Sequence, residues 1–227
     1  MYRILFQHAD FLVIDKQPGI GMHDEKGEEG GETEPGLVNR VKADTGLTLY
    51  PVHRLDKMTS GLVLLARTTE ANRELSMAFA AREVSKQYLA LSDRKPKKKQ
   101  GWVKGDMQKG RGGSWMLART LDNPAISWFD SVSVREGLRL YRIKPQTGKT
   151  HQIRVALKSI GAPILGDERY GGTSADRGYL HAWRLSFTLA GEPFDFVCPP
   201  TQGTEFVTPE PTAALALWGS DDKPLAS

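Results

Sequence analysis

The residues best equipped for chemistry lie in Val52-His53-Arg54-Leu55-Asp56-Lys57-Met58-Thr59-Ser60-Gly61-Leu62. One carboxylate, Asp56, sits in a polar turn that closes at glycine and runs straight into Leu62-Val63-Leu64-Leu65-Ala66. That apolar run reads as a buried strand, so the turn is expected to be held against the core. Between Arg54 and Lys57 the carboxyl stays ionised and can be aimed at a ligand. On residue types alone, a salt-bridged structural acid fits equally well.

The rest of the chain bounds what such an acid can serve. With 227 residues, 39% of them hydrophobic, there is material for a substantial core, in one large domain or two small ones. The net charge of +4 and a pI of about 9.1 permit a polyanionic partner without demanding one. The single cysteine, Cys198, excludes an internal disulfide and a cysteine-rich zinc site. The first residues lack the apolar run of a signal peptide, and no stretch is long and apolar enough to cross a bilayer. These features predict a soluble cytoplasmic protein.

The elements that must carry the turn can be read by period. Phe11-Leu12-Val13-Ile14 reads as a buried strand entering the turn Asp15-Lys16-Gln17-Pro18-Gly19. Residues 24–36, rich in Gly and Glu, read as a loop, and the acids between Asp24 and Glu34 would repel phosphates near a cleft. Leu37, Val38 and Val41 share one face of a short helix that Gly46 can end. Thr68 or Thr69 can cap a second helix, with Ala71, Leu75, Ala78, Phe79 and Arg82 at helical spacing. Residues 86–91 read as a strand, 129–134 and 138–143 as a hairpin turning at Gly137, 150–160 as a helix closed by Gly161, and 179–189 as a late strand. Residues 1–206 are expected to form the working domain and 207–227 a loosely held tail.

Residues 93–120 have another character. Nine basic residues lie between Arg94 and Arg119, among them Lys97, Lys98 and Lys99, with Asp106 the only acid. Trp102 and Trp115 are interleaved with glycines. That mixture suits short strands and cationic loops touching a polyanion through charge and stacking. An ordinary solvated basic loop is the competing reading.

Taken in order, His53-Arg54-Leu55-Asp56-x-x-Thr59-Ser60-Gly61-Leu62 closely resembles the catalytic motif of the RluA-type pseudouridine synthases. Lys86-x-Tyr88-x-Ala90-Leu91 and Thr147-Gly148-Lys149-Thr150-His151-Gln152-Ile153-Arg154 resemble later motifs of that family, as do Leu165-Gly166-Asp167 and Leu180-His181-Ala182. Asp15-Lys16-Gln17-Pro18-Gly19 is similar to its lysine-proline-glycine turn, with Gln17 interposed. The segments run in family order from residue 11 to about 187. Gly148-Lys149-Thr150 also invites a phosphate-loop reading, but the glycine required five positions earlier is Ile143.

The resemblance implies an α+β pseudouridine synthase fold: a long, mostly antiparallel mixed sheet with helices around it and a central catalytic cleft. It implies a stand-alone catalytic domain with no N-terminal RNA-binding domain. It also implies isomerisation of a uridine in ribosomal or transfer RNA, with no cofactor, nucleotide or metal. Asp56 would be the catalytic carboxylate, Arg154 its partner, and Tyr88 the ring stacked on the uracil. Ile153 would close the pocket, and Arg54 would hold the stack vacated by the flipped nucleotide. Lys97, Lys98, Lys99 and Trp102 would grip the RNA. His151, Asp167 and His181 would be structural. A monomer is expected. A non-catalytic RNA-binding module with the same fold, and an unrelated hydrolase using Asp56 with His53, are the alternatives.

Overall fold

Short runs rich in Val, Leu, Ile and Phe recur along the chain, and most become strands of one sheet. The computed structural model describes residues 1–25 and 33–219. In chain order these form β1 (Tyr2–Gln7), β2 (Phe11–Lys16), α1 (Leu37–Thr45), β3 (Tyr50–Pro51), β4 (Ser60–Ala66), α2 (Thr69–Ala81), β5 (Ser85–Ser92) and β6 (Gly101–Gly105). There follow β7 (Met107–Lys109), β8 (Trp115–Leu117), β9 (Ala125–Arg135), β10 (Leu138–Pro145), α3 (Gln152–Ser159), β11 (Leu180–Leu189), β12 (Glu192–Val197) and α4 (Pro209–Gly219). Ten strands make one sheet in the order β1-β2-β4-β11-β5-β10-β9-β6, with β12 on β11 and β3 on β4. Strands β7 and β8 form a separate hairpin. Only β4 and β11 run parallel, so the sheet is mixed and mostly antiparallel, in the expected α+β class.

Every residue of β2 and β4 is buried, which explains why both read as unbroken apolar runs. Leu37, Val38 and Val41 of α1 and Ala71 and Leu75 of α2 join them in one core. Thr68 caps α2 by accepting the N–H of Ala71, and Gly46 ends α1 with a left-handed φ of 68°. Arg82 does not extend α2: it takes φ 63° and sits exposed as the C-cap, donating its N–H to the last turn. Helix α3 begins two residues later than the sequence suggests, because His151 adopts φ 56° and cannot be helical.

Strand β1 was not legible. It is an edge strand with a bulge between Ile4 and Phe6, so its exposure does not alternate. Of the tail expected after residue 206, Pro209–Gly219 forms helix α4, and residues 220–227 lie outside the described residues. Helix α4 packs against the sheet, with Ala214 and Trp218 buried and the Trp218 ring 5.1 Å from the Arg142 guanidinium. Of the acidic stretch, residues 26–32 lie outside the described residues. Its near end is tied down: Asp24 accepts the Gly36 N–H at 2.8 Å and both of its oxygens hold Asn39, while Glu25 pairs with Lys57.

Candidate active site

The turn between β3 and β4 carries Asp56, and buried groups hold it from below. Lys16 is 0% exposed and donates to the carbonyls of Gln17, Lys57 and Thr59 at 3.0, 3.1 and 2.7 Å. Burial pushes its ammonium down to about 7. Gly19 donates its N–H to the Lys57 carbonyl at 2.8 Å. At Gly61, φ is 103° and an added Cβ would meet the Ala182 carbonyl oxygen at 2.2 Å. Only glycine therefore lets β4 leave the turn flush against β11. Ser60 bonds to Nδ1 of His181 at 2.7 Å, and the other ring nitrogen of His181 reaches the Cys198 carbonyl, also at 2.7 Å. That bond needs a proton on Nε2, so His181 is a neutral buried brace, and burial pushes it down to about 4.

A cleft of about 480 Å³ opens beside this turn, at the middle of the sheet where β4 and β11 begin. Asp56, Tyr88, Arg154, Arg54 and Ile153, all singled out from the sequence, line it together. Arg154 Nη1 approaches Asp56 Oδ2 at 3.3 Å. The opposite edge of the same guanidinium is held more firmly. Nε and Nη2 donate to the two oxygens of Asp167 at 2.7 and 2.8 Å, where Asp167 is 2% exposed. Tyr170 lies under the guanidinium at 4.9 Å. Its hydroxyl accepts the Trp115 N–H at 3.0 Å and contacts His151 Nδ1 at 2.7 Å. Arg154 is thus oriented by Asp167 and Tyr170 and offers its remaining nitrogen to Asp56.

Tyr88 is enclosed beside Asp56. Burial first, and the neighbouring carboxylate second, push its phenol well above the ordinary value, so the ring keeps its proton. Gln152 locks the loop that leads into α3, whose first turn carries Ile153 and Arg154. Its Oε1 accepts from Thr147 Oγ1 at 2.7 Å and from the Lys149 N–H at 3.0 Å, and its Nε2 donates to Ile126 O and Ser127 Oγ. His53 is not a base for Asp56. Its Nε2 accepts the Leu64 N–H at 2.9 Å, its ring stacks on Phe79 at 4.9 Å, and burial pushes it down to about 3. The hydrolase reading loses its general base.

Among the described residues that line the cleft Asp56 is the only carboxylate, against the cations Arg54, Arg82, Lys86, Lys149 and Arg154. Such a groove suits a polyanion whose charges stay at the rim while something flat enters. Lys97, Lys98, Lys99 and Trp102 are not brought to the cleft. The Lys97 N–H bonds to the Ile160 carbonyl, the Lys99 carbonyl accepts from Ser131, and Trp102 lies on the edge strand β6 opposite Trp128. The β7–β8 hairpin of the basic region instead leans on Tyr170, the ring under Arg154, through the Trp115 N–H. Three of the rim cations, Arg82, Lys86 and Lys149, escaped the sequence reading because they are scattered along the chain. Asp167 follows Arg154 by thirteen residues with no local spacing to link the two.

The family model described as RNA pseudouridylate synthase matches residues 10–159. An uncharacterized RNA pseudouridine synthase of Haemophilus influenzae is 47% identical over 209 residues, covering 91% of each chain. The ribosomal large subunit pseudouridine synthase D of Nitrosomonas europaea is 35% identical over 82% of this chain and 58% of its own. Among solved structures, human RNA pseudouridylate synthase domain containing 4 superposes with a TM-score of 0.70 at 25% identity, covering 90% of each chain. The chain belongs to the RluA-type family of RNA pseudouridine synthases, which are isomerases acting on RNA. Among the described residues no helix is long and apolar enough to cross a membrane.

Proposed function

We propose that Asp56 is the catalytic carboxylate of an isomerase that converts a specific uridine in folded ribosomal or transfer RNA to pseudouridine, working as a cytoplasmic monomer. The observation that carries this is the one carboxylate among the described residues of a cationic cleft, 3.3 Å from an arginine whose other edge is fixed. The N1–C1′ bond breaks, the uracil turns over, and a C5–C1′ bond forms. The hydrogen on C5 is released and N1 gains one, so atoms and electrons balance without a redox partner.

Two first steps fit the arrangement: attack of Asp56 on C1′, and removal of a sugar proton. Both ask the same of the protein, an ionised oxygen held still beside the sugar. Arg154 supplies the orientation. Tyr88 offers a flat face and a protonated hydroxyl to the uracil, and Ile153 packs on its other side. Arg54, exposed at the rim, fills the gap in the helix after the nucleotide flips. Arg82, Lys86 and Lys149 meet flanking phosphates. A ribosomal target agrees with the name of the Nitrosomonas europaea relative.

The test is Asp56→Asn expressed in cells lacking the native gene, with pseudouridines mapped across total RNA. Loss of one modification, restored by the wild-type gene, is expected; undiminished modification refutes the assignment. The same map names the RNA.

A further inference from the structure

Strand register turns the aromatic part of the basic region away from the cleft. Tyr88 pairs with Ile143, Ile143 with Phe129, and Phe129 with Gly101, so these share the face on which Tyr88 points. Trp102, Trp128 and Lys144 are one residue out of phase and occupy the opposite face. There, Trp102 is the direct cross-strand partner of Trp128, which in turn is the partner of Lys144. Both rings are partly exposed. Lys104 Nζ lies 5.1 Å from the Trp102 ring centre, and Lys144 Nζ 5.8 Å from that of Trp128. Among the described residues neither lysine makes an ion pair with a carboxylate: the nearby acid Asp130 is committed to Arg142 by two hydrogen bonds. Helix α4 covers Arg142 with Trp218, but the tryptophan pair stays partly open at the sheet's edge.

We propose that this face is a second RNA-contact surface, taking a single-stranded segment whose bases stack on Trp102 and Trp128 and whose phosphates meet Lys104 and Lys144. The inference rests on the reading of this chain as an RNA-modifying enzyme and adds a contact for RNA that never enters the pocket. An apolar protein partner suits the face poorly, since docking would bury two ammonium groups that no carboxylate among the described residues pairs. A polyanion supplies the missing charge. In the free protein each ammonium rests over its ring, a weak contact at an exposed site. A phosphodiester draws the ammonium aside and uncovers the ring for a base. Every base has such a face, so the contact is tolerant of sequence.

The test uses a fluorescein-labelled oligoadenylate, which holds no uridine to isomerise, titrated with the full chain and followed by anisotropy. Trp102→Ala is expected to weaken binding about tenfold, and Trp102→Phe to keep most of it. The double variant Lys104→Gln/Lys144→Gln lowers the slope of log K against log salt by about 1.4, the counterion release of two single-strand phosphates. Tyr88→Leu weakens oligoadenylate binding much less than Trp102→Ala does. The proposal is overturned by a wild type that does not bind, or by folded Trp102→Ala that binds unchanged. Equal loss in Tyr88→Leu also overturns it, because the oligomer would then lie in the cleft. So does a wild-type dimer in sedimentation that Trp102→Ala dissolves, which would make the face an interface between copies. If Trp102→Ala fails to fold, the salt slope of the lysine pair decides. The outcome is separable from the catalytic reading: pseudouridine formation intact with binding indifferent to Trp102 removes only this surface, and the reverse pattern removes only the catalytic assignment.

Discussion

Asp167→Asn is the sharpest perturbation of the proposed site, because it changes one atom of a residue that does not line the cleft. In the native protein Asp167 takes two hydrogen bonds from Arg154, at 2.7 and 2.8 Å, with the two side chains 2% and 8% exposed. Asparagine keeps one acceptor and turns its amide donors toward a guanidinium that can only donate. Breaking a buried pair from one side costs about 3–5 kcal/mol of stability. Arg154 is then left with Asp56, at 3.3 Å, as its one carboxylate partner, and the guanidinium swings toward it. What was a single steering contact becomes a full ion pair that draws the Asp56 oxygen off the line the proposed reaction needs. A displacement of about 1 Å at a reacting atom is worth roughly a hundredfold in rate, or about 2.7 kcal/mol of activation free energy. The assay is steady-state pseudouridine formation on the mapped RNA, at a temperature where urea titration finds the variant folded. The expected result is kcat down about a hundredfold with KM little changed, since no rim cation is touched. Folded Asp167→Asn with wild-type kcat would refute the idea that Asp167 aims Arg154.

Three further outcomes follow from the same geometry. Tyr88→Phe should retain RNA binding within a few-fold while Tyr88→Leu loses about tenfold or more, the value of a base–aromatic stack; equal binding by both in a filter assay would remove the stacking role. Lys16→Met takes the Lys16 donor from the Gln17 and Thr59 carbonyls under the Asp56 turn and leaves the Lys57 carbonyl with the Gly19 N–H alone, and a buried carbonyl left unpaired costs about 1–3 kcal/mol; urea unfolding should register a loss of about 2 kcal/mol or more, and an unchanged midpoint would refute the brace. His181 gives a pH dependence. Its folded pKa of about 4 lies below the ordinary 6.5, so the unfolded chain binds the extra proton first. Its contribution to stability is therefore complete above pH ~6.5 and is lost between about 6.5 and 4, at up to about 1.4 kcal/mol per pH unit. Urea midpoints across that range should show a shallower slope in His181→Asn than in the wild type.

Different parts of this molecule were legible for different physical reasons. Strands β2 and β4 announced themselves because both faces are covered, leaving no polar position in the apolar run of either before its last residues or after its first two. Helices α1 and α2 were legible from their apolar stripes and from the caps at Thr68 and Gly46. Edge strand β1 was not, since partial exposure and a bulge erase its period. Helix α3 was placed too early because His151 adopts a backbone conformation that its side chain does not advertise. Asp56, Tyr88, Ile153 and Arg154 came together because motif order carries long-range pairing that spacing alone does not. The partners that fix them, Lys16 and Asp167, look in sequence like a strand-end lysine and a loop aspartate. A charged side chain buried by tertiary contacts leaves no local pattern.

The placement of Trp102 makes the same point about function. Composition marked residues 94–119 as suited to a polyanion, and composition is blind to direction. A strand sends successive side chains to opposite faces, so one stretch of basic and aromatic residues can serve two surfaces. Here the β7–β8 hairpin leans on Tyr170 beside the cleft, while Trp102 and Lys104 point from the far side of β6. An RNA that touched both would have to pass around the sheet edge, with the target uridine on one face and a single-stranded flank on the other. That arrangement separates the two demands on such an enzyme. The cleft needs a rigid carboxylate and tolerates little change, whereas the outer face needs only charge and flat rings. Target choice can then change on β6 and β9 without disturbing the turn that holds Asp56.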